Sequence, residues 1–60
     1  MYTHYVTTID FGEIPIRKTH TDGKILQCIQ LSDGDNAEIR LDYRTNQPFA
    51  VIFDKNWNKK

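Results

Sequence analysis

From Ala37 to Tyr43 the chain reads Ala-Glu-Ile-Arg-Leu-Asp-Tyr, apolar and charged residues alternating at every step, which is the signature of a strand with one buried face. Four further segments, residues 4–11, 14–21, 24–31 and 49–54, are rich in Ile, Val, Thr, Tyr and Phe. Turn-forming groups separate them: Gly12-Glu13, Asp22-Gly23, the run from Ser32 to Asn36, and Arg44 to Gln47 closed by Pro48. No apolar spacing of helical period survives for the ~12 residues that a credible helix needs. The pattern predicts an all-β chain of five strands without an internal repeat.

A short loop fixes which residues face each other, and facing residues share a side of the sheet. A type I′ turn at Asp22-Gly23 sets Ile16 opposite Ile29 and His20 opposite Ile25. A type II′ turn at Gly12-Glu13 sets Phe11 against Ile14 and Ile9 against Ile16. The later loops bring Leu31 to Ala37 and Ile29 to Ile39, then Tyr43 to Phe49, Leu41 to Val51 and Ile39 to Phe53. These registers describe a five-stranded antiparallel meander. Its inner face carries Tyr5, Ile9, Phe11, Ile14, Ile16, Ile25, Ile29, Leu31, Ala37, Ile39, Leu41, Tyr43, Phe49, Val51 and Phe53. Leaving such a face wet costs about 25 cal/mol per Å². The sheet is therefore expected either to curl into a small SH3-like barrel or to stack on a second copy as a homodimeric sandwich. Pro15 has no N–H for a ladder, so a bulge is expected in the second strand. Residues 1–54 read as a single β domain and residues 55–60 as a short basic C-terminal tail, with Trp57 capping an open end of the core.

Size sharpens this picture. A chain of 60 residues buries only about 60% of its unfolded surface, which makes association with another chain a natural expectation. Eight basic and eight acidic residues cancel, so a general nucleic-acid coat is disfavoured, although a local basic stripe is not. The longest apolar run, Phe49–Phe53, is far short of the ~20 residues of a membrane helix. The start Met1-Tyr2-Thr3-His4-Tyr5 lacks the basic and apolar regions of a secretion signal, and one cysteine cannot staple its own chain. Both point to the cytoplasm.

Candidate chemistry is sparse. His20 and Cys28 could form a nucleophilic pair only if they met, and the expected register puts them on opposite sides of the sheet. His4, His20 and Cys28 have neither the spacing nor the fourth partner of a zinc site. The acidic run Asp33-Gly34-Asp35-Asn36 with Glu38 lacks the later ligands of a calcium loop and reads as a turn. Glu38 and Asp42 share a face with Arg40 between them, which suits a solvated salt-bridge array rather than paired acid and base. No phosphate loop, serine-nucleophile motif or dinucleotide fingerprint occurs. Neither enzymatic activity nor a cofactor or metal is expected. The segment Asp33-Gly34-Asp35-Asn36-Ala37-Glu38-Ile39 resembles the Gly-Asp stretch that precedes a strand in swapped-hairpin DNA-binding antitoxins and transition-state regulators. The resemblance stops at this segment: the helix that comes before it in those proteins is replaced here by apparent strand.

Binding remains. The outer face is expected to present Val6, Leu26, Cys28, Ala50 and Ile52 as an apolar centre rimmed by Arg17, Glu38, Arg40 and Asp42, the anatomy of a protein interface. The two outer strands add backbone edges for strand addition. The residues thus point to a non-enzymatic protein-interaction module whose partner is another protein or a second copy of itself. Its size suits a small regulator or inhibitor of the kind that phages and mobile elements encode. The alternative is a nucleic-acid-binding small barrel using Arg17, Lys18, Lys24 and Arg40.

Overall fold

The computed structural model describes residues 4–60. The first three residues of the stretch read for a leader, Met1–Thr3, lie outside the described residues. Five strands form and, among the described residues, no helix: β1 (Tyr5–Thr8), β2 (Gly12–Pro15), β3 (Lys24–Gln30), β4 (Asn36–Leu41) and β5 (Pro48–Phe53). They make two antiparallel sheets, β1-β2 and β3-β4-β5, and neither sheet closes on itself. Among the described residues, no helix is long and apolar enough to cross a membrane.

The single meander is corrected at Pro15. β2 ends at Pro15, whose missing N–H faces away from β1, on the side where pairing with β3 is expected, and no bulge forms against β1. The amide of Ile16 donates to the His4 carbonyl at 2.9 Å, and that of Arg17 donates to the Ala50 carbonyl at 2.8 Å. Ile16 thus bridges in parallel to Ala50 of β5 rather than pairing with Ile29. Residues 17–23 form no strand and run as a strap, so the Asp22-Gly23 hairpin and the pairing of His20 with Ile25 do not occur.

The remaining registers also differ from those expected. β1 and β2 pair Val6 with Ile14 and Thr8 with Gly12 around a three-residue connection, Ile9–Phe11. Gly12 closes it at φ 72°, a conformation for which glycine carries no steric penalty. The expected Gly12-Glu13 turn had the opposite parity. Val6 and Thr8 consequently point inward, while Tyr5, Ile9 and Phe11 point out. Between β3 and β4 the register is shifted by two residues, which keeps the faces: Ile29 meets Ala37. Leu26 is then an extra residue in a bulge that turns Ile25 outward, beside Arg40. Between β4 and β5 the parity changes, so Ile39 meets Ala50 and Ala37 meets Ile52.

One face of the three-stranded sheet therefore carries Ala37, Ile39, Ala50 and Ile52, and the β1-β2 hairpin seals it with Val6 and Ile14. Ile16, Leu26, Ile29 and Leu31 pack around this cluster. Phe49 and Val51 are buried on the other face, opposite Arg40 and Glu38. The strap covers Phe49: a Cβ on Gly23 would stand only 3.2 Å from its ring. β4 is the central strand of this sheet, and β5 has β4 along one side and isolated bridges to Ile16 and Lys59 along the other.

The C-terminal residues fold back rather than trailing away. Lys59 bridges to Phe53, the amide of Lys60 donates to the Ile52 carbonyl at 3.1 Å, and the Lys60 ammonium lies 2.6 Å from the buried Asp35 carboxylate. Trp57 stacks on Phe53 with ring centres 5.6 Å apart and remains about half exposed.

Candidate interaction surface

The β1-β2 hairpin is anchored on one side and bare on the other. Thr8, buried at the base of its connection, donates its hydroxyl to the Gly12 carbonyl at 3.0 Å and accepts from the Phe11 amide at 2.9 Å. These bonds satisfy a tight turn without help from solvent and hold Ile9 at the tip. Ile9 is fully exposed at 102% relative accessibility, Tyr5 is 54% exposed and Phe11 38%. Ile9 gains no burial from its own fold, and burying it against a partner would recover about 1.5–3 kcal/mol.

The expected apolar centre of the outer face is dispersed. Val6, Ala50 and Ile52 belong to the core, at 3%, 0% and 7% exposure, so none of them is presented to a partner. Leu26 is half-buried against that core. Cys28 is exposed on β3, opposite Glu38. Glu38 accepts from both Arg40 Nε at 3.0 Å and Arg40 Nη2 at 2.5 Å, and Arg40 Nη1 donates to the Thr21 carbonyl of the strap at 2.6 Å. Arg17 stands over the Phe49 ring, 4.3 Å from its centre, and bonds Asp42 at 2.5 Å. The two arginines thus clamp the strap to the sheet.

Asp42 also organises its own loop. Its Oδ1 accepts from the amides of Arg44 at 2.7 Å and Thr45 at 3.2 Å. The Arg17 bond first, and these amides next, hold its carboxyl down at about 2. The amides of Asn58 and Asn56 similarly hold Asp54 below the ordinary carboxylate value.

Beside this loop two shallow hollows adjoin. One is lined by His20, Asp22, Asp42, Tyr43 and Arg44, the other by Arg17, Lys18, Thr45 and their neighbours. Tyr43 is 74% exposed here, not inward as expected. Lys18 and Lys24 are exposed as well. Among the described residues, no group of three or more His, Cys, Asp or Glu side chains is placed to hold a metal ion. The acidic loop is closed internally: Asp33 accepts from the Asp35 amide at 3.3 Å, and Asp35 pairs with Lys60.

No protein-family model matches the chain, and no similar protein emerges among curated proteins or solved structures. Ile9, Tyr5, Phe11 and Tyr43 were expected on the inner face and so were missed as surface residues by sequence reasoning. The available signal was the Ile9–Gly12 stretch, where a glycine after three residues suits a bulge-closed hairpin as well as a two-residue turn.

Proposed function

We propose that this chain is a non-enzymatic protein-interaction module that docks the β1-β2 hairpin into an apolar cleft on a larger protein. One observation carries the reading: Ile9 is wholly exposed at the tip of a hairpin whose other side is locked into the core by Val6 and Ile14. An anchored, pre-shaped apolar knob loses little conformational freedom on binding, which is the economy of a good interface anchor. A small regulator or inhibitor that works by occupying a surface fits this arrangement. The architecture is read as an SH3-like barrel left open between β1 and β3, since β2 leads into β5 through Ile16. This reading is favoured over a stacked homodimeric sandwich because Ala37, Ile39 and Ala50 are already at 0% exposure within one chain.

The test is co-purification of the tagged chain from its native host, side by side with Ile9→Asp. A partner held stoichiometrically by the parent chain and lost from the folded variant supports the reading. Equal retention by both would sink it.

A second reading has an observation of its own. Exposed Tyr43 stands with Arg44, Lys18 and His20 around the adjoining hollows, a combination suited to stacking a base beside a phosphate. It replaces the expected set in part, because Arg17 and Arg40 are engaged in ion pairs. Binding to single-stranded RNA or DNA that weakens steeply with salt, and is lost in Tyr43→Ala, would favour it over hairpin docking.

A further inference from the structure

The longest strand of the molecule is also an edge. β3 runs for seven residues, pairs with β4 along one side, and among the described residues has no strand along its other side. An open ladder recruits another strand unless charge, proline, a bulge or a covering segment prevents it, and the Leu26 bulge leaves Gln27–Gln30 as the regular part of this edge. Here the edge reads Lys-Ile-Leu-Gln-Cys-Ile-Gln, with one charge, Lys24, at its first position. Beyond its far end stands the exposed, acidic Asp33. An edge that is basic at one end and acidic at the other complements itself when turned end for end.

We propose that two copies of this chain pair through β3, antiparallel about a two-fold axis near Gln27 and Cys28, so that Lys24 of each copy approaches Asp33 of the other. The two three-stranded sheets become one continuous sheet. Ile25, 51% exposed, lies on the same face as Cys28, because they oppose Arg40 and Glu38 of one β4 face. Pairing shelters it against the Cys28–Gln30 stretch of the second copy. A groove of about 340 Å³, lined by Tyr5, Thr7, Ile29 and Leu31 among others, separates β1 from the end of β3. One paired strand covers less than the ~800 Å² per partner of a standard interface, so the dimer is weak, with a Kd on the order of micromolar or higher. This surface is distinct from the hairpin tip, and either proposal can fail without the other.

Sedimentation of the full chain across a wide concentration range tests the pairing. A concentration-dependent monomer–dimer equilibrium is expected. Lys24→Glu and Asp33→Lys should each weaken it about tenfold, and the double charge swap should restore it. Amide NMR shifts on dilution, confined to residues 24–33 and their β1 neighbours, give a second readout that needs no variant. A chain that stays monomeric at millimolar concentration overturns the proposal. So does a dimer indifferent to both reversals, or one that the swap fails to rescue.

Discussion

Replacing Gly23 with alanine should lift the strap off the sheet. Gly23 does not use the left-handed backbone, so the substitution carries no conformational penalty of that kind. Its added Cβ would nevertheless stand 2.6 Å from the Leu41 carbonyl oxygen, 3.1 Å from the Leu41 carbonyl carbon and 3.2 Å from the Phe49 ring. The oxygen cannot move aside, because Leu41 is held between Lys24 of β3 and Pro48 of β5. The strap has to yield, and with it the cover over Phe49. Overpacking of this kind costs about 1–3 kcal/mol. A domain of this size has roughly 3–9 kcal/mol in all. The thermal midpoint should accordingly fall by roughly 5–20 °C. Urea unfolding followed by Trp57 fluorescence and circular dichroism measures the loss. A glycine with ordinary backbone angles and free space around it would behave oppositely, gaining about 0.4–1 kcal/mol on conversion to alanine. An unchanged or raised midpoint for Gly23→Ala would therefore refute the packing of the strap on Phe49.

Further outcomes follow from individual contacts. Asp42 has its carboxyl lowered from 3.8 to about 2 in the folded chain, so its contribution is fully present above the unfolded value. It should be lost as pH falls from about 4 toward 2, and melting curves of Asp42→Asn should lack that part of the pH dependence. Thr8→Ala removes a buried hydroxyl that both donates to Gly12 and accepts from Phe11, and should cost about 1–2 kcal/mol in chemical denaturation. Ile9→Asp should leave the unfolding midpoint within about 0.5 kcal/mol of the parent, whereas Ile14→Ala, emptying a side chain 1% exposed, should cost about 2–5 kcal/mol.

Four of the five strands were legible because alternation and turn residues mark them independently of how they pair; the second was expected over residues 14–21, whereas β2 is Gly12–Pro15 and residues 17–23 form the strap. Their partners were less so. Alternation in Ala37–Tyr43 located β4, and its inward residues Ala37 and Ile39 are buried as the pattern requires. Phe49–Phe53, by contrast, is a continuous apolar run, the mark of a strand covered on both sides. Reading it as half-buried put Ala50 and Ile52 outside and made them interface candidates, whereas the strand is buried on both faces. The hairpin error has the same root: the turn lies at Ile9–Phe11 rather than Gly12-Glu13 and is three residues long rather than two, which exchanges Val6 for Tyr5 on the inner face and carries Ile9 from the core to the tip. Pro15 was recognised as a conflict within a ladder, but its consequence is larger than a bulge, since it releases the strap that crosses to β5. That crossing depends on the competition between β3 and β5 for Ile16, a tertiary preference that no local pattern encodes. Arg17 and Arg40 were read as part of a salt-bridge array at an interface rim, without Phe49 and the Thr21 carbonyl, which meet them only once the strap is in place.

Nuclear Overhauser contacts of Ile16 address the topology from which the buried and bare sides of the hairpin follow. The structure predicts cross-peaks from the Ile16 backbone to Ala50, together with methyl contacts joining Val6 and Ile14 to Ile39, and none from Ile9 to the core. Strong backbone cross-peaks between Ile16 and Ile29, with Ile9 methyls in contact with Ile14, would instead establish the single meander and remove the exposed tip on which the docking reading stands.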